Sequence, residues 1–270
     1  MKEKTRSDEK GRKLKDRIVA GSTIILCILS VGVGFYALLS HPSMTEENLT
    51  LPKKAAIVDQ LSQTEPNETL VQICTETLQT AGFSVDYYGD GDVTVDFYKH
   101  LPQQGYGLII FRVHSAGAVE KPLYLFTSEC FDASKYDYEH RTGQIVCVGI
   151  SETLPYWFGI TPQFVRRSMQ GKFENTAILM MTCSGMADVE MAGALFEKGA
   201  SIYISWTGSV NADHNDHATL VILHELVTKR QTIAQAVAYT INKVGPDPTF
   251  QSHLEWCPFE RGDYTILPCD

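Results

Sequence analysis

Basic residues are scarce in this chain. Its 270 residues carry 23 Lys and Arg against 32 Asp and Glu, a net charge of −9, and that balance argues against a nucleic-acid binder, because neutralising phosphates requires a positive surface. Internal repeats and low-complexity tracts are also missing, which excludes collagen, coiled-coil arrays and wholly disordered tails. No H-E-x-x-H pair occurs among the eight His, so the zinc-hydrolase helix is not in view, and no cofactor is expected. Charge itself is absent from one stretch: residues 18–39, IVAGSTIILCILSVGVGFYALL, hold none.

At about 1.5 Å per residue such a run crosses a hydrocarbon core of roughly 30 Å. A cleaved signal peptide has a shorter apolar region, usually about 7 to 15 residues, so residues 18–39 read as one transmembrane helix. Ahead of it, residues 1–17 contain eight Lys/Arg and four acids, a local charge of +4, which leaves −13 for the remaining chain. The far flank has no Lys or Arg until Lys53. The positive-inside rule therefore predicts a single-pass membrane protein with residues 1–17 as a cytoplasmic tail and the C-terminal part extracytoplasmic. Its acidic surface would favour basic partners at low salt.

Six cysteines lie beyond the span: Cys74, Cys130, Cys147, Cys183, Cys257 and Cys269. An even number outside the cell suggests a disulfide framework, with Cys257 and Cys269 as the first candidates for a staple, unless one thiol is in use and the count becomes odd. Two sequons, at Asn48 and Asn67, are candidate glycan acceptors. Residues 40–65 are polar and broken by Pro42 and Pro52, and read as a stalk. Residues 66–270 read as one domain. A helix over 67–81 should stop at Gly82, with a strand at 84–88 after it. Apolar runs at 107–114, 123–127, 144–150, 176–183 and 201–206 follow, with helical patterns at 162–170, 189–198, 217–229 and 233–244. Runs such as LIIFRV and AILMM suit strands covered on both faces. This alternation predicts an α/β domain, a three-layer α/β/α sandwich with a mostly parallel sheet.

Ligands of open α/β sheets bind outside the carboxyl ends of the strands, and two endings carry chemistry. One apolar run delivers His114 into Ser115-Ala116-Gly117; another delivers Cys183 into Ser184-Gly185 and then a helix. A Cys-His hydrolase needs this pairing: the thiolate attacks a carbonyl, the imidazole manages the proton, and backbone N–H groups hold the oxyanion. A helix beginning just after Cys183 would favour the thiolate.

This layout resembles the caspase-like superfamily of cysteine peptidases, and the stretch CSGMADVEMAGALFEKGASIYISWTGSV looks most like its CHAT and gingipain members. The resemblance covers roughly residues 100 to 225. It implies that His114 is the general base and Cys183 the nucleophile, with the amides of Ser115 and Cys183 as the oxyanion donors. Ser115 stands where these families usually carry Gly. The resemblance also implies a substrate pocket built partly after the Cys helix, where Asp188, Trp206 and Asp213 are the candidate substrate-binding residues and the two acids would select a basic side chain. A second cluster, Asp213-His214-Asn215-Asp216-His217 with His224 farther on, has metal-binding residue types, yet an Asp/Asn-rich stretch before a helix already serves as an N-cap region, so no metal site is assigned. The expected function is a membrane-anchored peptidase acting on peptide or protein substrates, and the alternatives are a catalytically silent domain used for recognition and a disulfide-stapled binding domain in which Cys183 is bonded. The oligomeric state stays open.

Overall fold

The computed structural model describes residues 51–267 apart from 90, 119–120, 151–154 and 188. The expected transmembrane helix, the cytoplasmic tail, Asn48, Asp188 and Cys269 lie outside the described residues. Among the described residues no helix is long and apolar enough to cross a membrane.

A six-stranded sheet forms the centre. In chain order its strands are β1 (Lys54–Asp59), β2 (Ser84–Tyr88), β3 (Leu108–Arg112), β8 (Thr176–Met181), β9 (Ala200–Trp206) and β10 (Leu254–Cys257). Across the sheet the order is β10-β9-β8-β3-β1-β2. All neighbours run parallel except β10, which lies antiparallel to β9. The apolar runs behave as a sheet covered on both faces requires: every residue of β3, β8 and β9 is buried.

Helices supply the covers. In chain order they are α1 (Glu68–Thr80), α2 (Val95–His100), α3 (Asp137–Arg141), α4 (Pro162–Arg167), α5 (Glu190–Glu197), α6 (Ala212–Leu223) and α7 (Ile233–Val244). One face packs Ile57, Ile110, Leu179 and Ile204 against Leu78 of α1, Ile222 of α6 and Val237 of α7. The opposite face packs Val58, Phe111, Met180 and Tyr203 against Tyr98 of α2, Phe164 of α4 and Leu195 of α5. Local chemistry sets several helix ends. Asn67, Thr94 and Thr161 each accept an N–H of the first turn, and Thr232 with Gln235 forms a reciprocal capping box,. Helix α1 stops where Gly82 takes φ +88, the left-handed geometry glycine allows,.

Three expectations need correction. Residues 54–59, read as stalk, are β1, which is flanked by β2 and β3. KAAIVD offers too short an apolar run between charged ends to stand out from the polar string around it. The runs at 123–127 and 144–150 do not join the parallel sheet. They belong to β5 (Lys121–Cys130) and β6 (Ile145–Val148), which with β4 (Ser115–Ala118) and β7 (Trp157–Ile160) form a separate antiparallel sheet, β4-β5-β7-β6. Strand pairing across a long insertion leaves no local trace in sequence. Finally, no disulfide joins Cys74, Cys130, Cys147, Cys183 and Cys257 to one another, while the expected Cys257–Cys269 staple falls on Cys269, outside the described residues.

Candidate active site

Strand order reverses between β1 and β3. The chain steps outward from β1 to β2, with α1 on one face, and returns past β1 to β3, with α2 on the other. The crevice at such a switch point, beyond the carboxyl ends of the strands, is where open α/β sheets bind ligands. β3 and its neighbour β8 end there, carrying the two candidate residues.

Their register is defined. β3 and β8 pair as Leu108↔Ala177, Ile110↔Leu179 and Arg112↔Met181, with the Ala177 N–H donating to the Gly107 carbonyl at 2.8 Å. A parallel ladder repeats every two residues, so one further step would set His114 opposite Cys183; the regular pairing ends at Arg112↔Met181, where the Thr182 N–H turns back to the Met180 carbonyl at 2.9 Å. The strands cease to be regular at that point, but the pairing is held by side chains: the Thr182 hydroxyl donates to the Val113 carbonyl at 2.6 Å, and the Ser115 hydroxyl to the Cys183 carbonyl at 2.5 Å.

His114 is anchored from the segment after β1. Its backbone N–H donates to Gln60 Oε1 at 2.9 Å, and its ring Nε2 lies 3.1 Å from Thr64 Oγ1. Burial, together with the nearby Arg112 charge, lowers the imidazole pKa to about 4, so the ring is neutral at physiological pH and able to accept a proton. The unfolded ring titrates near its ordinary value and binds the proton first. His114 therefore makes stability rise with pH between about 4 and 6.5,. Replacing it by Gln should flatten that part of the profile, seen as a smaller difference between thermal midpoints at pH 4.5 and pH 7 than in the wild type. An unchanged difference would count against a buried neutral imidazole.

Cys183 sits in a tight turn rather than at a helix start. Ser184 takes φ +56, and α5 begins only at Glu190, so the expected help from a helix N-terminus is absent. The turn is laced to the segment after β9: Ser184 N–H donates to the Gly208 carbonyl at 2.8 Å and Met186 N–H to that of Trp206 at 2.9 Å. The thiol meets the backbone of Val210, 3.4 Å from its N and 3.5 Å from its O. Burial raises the thiol pKa; the Val210 N–H opposes this, and the Asp247 charge adds to it. Asp247 holds the loop in turn, accepting from the N–H groups of Asn211, Thr249 and Phe250 at 2.8 to 2.9 Å. Burial would push this carboxyl up, but those N–H groups outweigh it and keep the pKa below the ordinary value,.

Beneath His114 lies an ion cluster that sequence reading missed. Arg112, 2% exposed, donates Nε and Nη2 to the two oxygens of Asp216 at 2.7 and 2.8 Å, Nη1 to Asp59 at 2.8 Å, and Nη2 also to the Glu65 carbonyl at 2.7 Å. Asn67 Nδ2 adds a bond to Asp216 at 2.9 Å. That nitrogen is the atom a glycan would occupy, and here it is turned inward. The cluster joins the ends of β1 and β3 to α6 and fixes the floor under the imidazole. Asp59 and Asp216 carried no sequence signal, because one was read within the stalk and the other as part of a polar cap. The Asp/Asn-rich residues in fact form the first turns of α6, which starts at Ala212.

The candidate substrate-binding residues scatter. Asp213 is exposed in the first turn of α6. Trp206 is 1% exposed, with its indole N–H on Asn215 Oδ1 at 2.8 Å, so it is a core residue and presents no face to a substrate. Thr64, Gln60, Val210 and Asp247 surround the His-Cys pair without having been singled out. Gln60 opens a short 3-10 turn after β1 and the other three lie in turns or loops, segments whose partners depend on the fold rather than on local pattern.

No protein-family model matches the chain. No characterised protein matches it by sequence. Among solved structures, the Arg-specific cysteine proteinase gingipain R is similar over 75% of this chain and 45% of its own, with a TM-score of 0.46 and 13% identity. The chain thus spans less than half the length of that protein.

Proposed function

We propose that the described domain is a caspase-like cysteine hydrolase acting on peptides, with Cys183 as nucleophile and His114 as general base. The observation that supports this reading is that β3 and β8 are parallel neighbours whose ends are tied by the Thr182 and Ser115 hydroxyls, so that His114 and Cys183 follow adjoining strand ends beside the switch point of the sheet. In the reaction the imidazole takes the thiol proton, sulfur attacks the carbonyl, and the imidazolium protonates the leaving amine. Water then releases the acyl group. The uncharged run at residues 18–39 supports a membrane-anchored, extracytoplasmic setting,.

A second reading has its own observation. Among the described residues no hydrogen bond joins Cys183 to His114: the thiol is held on Val210 and the ring on Thr64. A thiol whose pKa is raised by burial is a poor nucleophile,, which favours a silent recognition domain. Turnover of a peptide library by the full chain, beside Cys183→Ala and His114→Ala, separates the two. The hydrolase reading expects each variant to lose at least about 10³-fold, and equal rates in all three proteins would dispose of it.

A further inference from the structure

The ends of β1 and β2 and the first turns of α1 enclose a cavity of about 340 Å³, within the range of roughly 300–1,000 Å³ that small-molecule sites occupy. Thr64 and Val210, which meet the His114 ring and the Cys183 thiol, are not among the residues that line it. Asp59 is, although only 1% exposed, and its charge is not fully compensated. Two buried carboxylates, Asp59 and Asp216, share the one guanidinium of Arg112, which leaves the cluster one negative charge in excess. The hydrogen bonds show where that excess lies. Asp216 receives three short bonds, two from Arg112 and one from Asn67, at 2.7 to 2.9 Å. Asp59 Oδ1 receives Arg112 Nη1 at 2.8 Å, whereas Oδ2 meets only the Tyr87 hydroxyl, at 3.3 Å, among the described residues. Tyr87 lines the cavity as well, so this under-supplied oxygen stands at its wall. Burial accordingly holds the Asp59 pKa above its ordinary value despite Arg112,.

The other lining residues select the sign and class of a ligand. Glu68 is exposed, adds a second carboxylate and has no ion-pair partner among the described residues. An anion would meet both carboxylates, and the α1 N-terminus that would attract it is already capped, Asn67 Oδ1 accepting the Leu70 N–H at 3.0 Å,. A metal ion needs a fuller set of ligating side chains, and no group of three His, Cys, Asp or Glu that could hold one occurs among the described residues. Pro66 and Val71 instead give the cavity an apolar side, and the half-exposed ring of Tyr87 is of the kind that attracts a cation,. We infer that this cavity is a second binding site, for an alkylammonium group whose charge meets Asp59 and whose carbon stem lies against Pro66 and Val71. The inference is independent of the hydrolase reading. A free amine and a lysine side chain carry this chemistry alike, and the choice of probes separates them.

The test titrates the full chain with n-butylammonium, N-acetyl-lysine amide and butyrate, the last carrying the opposite charge on a similar stem, and follows binding by ligand-observed NMR. n-Butylammonium should bind with a Kd on the order of 1 mM, what so small a ligand can supply, and butyrate should not bind. Tighter binding of N-acetyl-lysine amide assigns the cation to a peptide side chain; equal or weaker binding assigns it to a free amine. Asp59→Asn should raise the Kd at least about tenfold, as loss of a buried charged partner does, and Glu68→Gln by about two- to threefold, as loss of an exposed one does. Because Asp59 also belongs to the Arg112 cluster, Val71→Trp supplies a second variant: it fills the cavity from a half-buried position on α1 and should abolish binding with the thermal midpoint kept. Glu174→Gln removes an exposed acid that does not line this cavity and should leave the Kd unchanged, as should Cys183→Ala. Butyrate binding as tightly as n-butylammonium, equal weakening by Glu174→Gln and Asp59→Asn, or a Kd unmoved by Val71→Trp overturns the inference and leaves the His-Cys pair standing. Loss of binding in Cys183→Ala would place the amine at the nucleophile and overturn it as well.

Discussion

Arg112→Met should destabilise the domain by about 3–5 kcal/mol at pH 7, the usual cost of removing one partner from a buried ion cluster. Against a typical total of about 5–15 kcal/mol this is enough to unfold much of the population. The reason is arithmetic of charge: Asp59 and Asp216, 1% and 5% exposed, share a single guanidinium, and its loss leaves two carboxylates in the interior. Burial already raises the Asp59 pKa even with Arg112 present. In the variant the Asp59 carboxyl, no longer opposed by Arg112, would titrate further above its unfolded value, so the folded form gains a proton as pH falls. The deficit relative to wild type should therefore narrow toward pH 4.5, where Asp59 neutralises. Urea midpoints at the two pH values read this directly. Equal midpoints for variant and wild type at pH 7 would mean that the cluster is solvated. A triple change, Arg112→Met with Asp59→Asn and Asp216→Asn, removes the stranded charges and should recover most of the loss. Arg112→Met should also let the His114 pKa rise, because the Arg112 charge is one of the two causes depressing it.

Gly185→Ala should impair the candidate nucleophile. A Cβ at this position would lie 2.0 Å from Ser205 Oγ, 2.7 Å from Ser205 Cβ and 2.9 Å from the Tyr203 hydroxyl. Neither side chain can step aside freely. Ser205 donates to the Met180 carbonyl and Tyr203 to that of Gly185, and both are fully buried in β9. Overpacking of this kind costs about 1–3 kcal/mol. The cheapest relief is movement of the turn itself, carrying Cys183 away from its place at the end of β8. A displacement near 1 Å costs on the order of 10²-fold in catalysis. We expect peptide hydrolysis to fall by about that factor, with a thermal midpoint lowered by a few degrees. The compensating variant Ser205→Gly opens the space and should return activity to Gly185→Ala. If Gly185→Ala behaves as wild type in both assays, the turn is not held as described.

Much of this architecture was legible in the chain. LIIF and AILMM declared buried strands because a sheet covered on both faces makes its strands nearly continuous apolar runs. The helix at 233–244 was visible from end to end through its helical apolar pattern. His114 and Cys183 stood out because each follows such a strand. The same logic failed for residues 54–59, where charged Lys54 and Asp59 close a four-residue apolar stretch, and for 157–160, a strand of only four residues. It also failed for Trp206, since an aromatic at a strand end reads alike whether it faces a crevice or the core.

What the chain determined by itself was local: which segments are strands or helices, the uncharged run ahead of the domain, and the two residues with the chemistry for nucleophile and base. Short-range patterning carries that information, because burial of one face or both imposes a period on neighbouring residues. Which strand lies beside which was settled only in three dimensions. Register between β3 and β8 aligns residues 69 positions apart, the Arg112 cluster joins residues from three elements, and the hydroxyls of Ser115 and Thr182 acquire meaning only against the carbonyls they reach. Such contacts cost chain-closure entropy rather than local conformational preference, and for that reason they leave no pattern to read in the sequence.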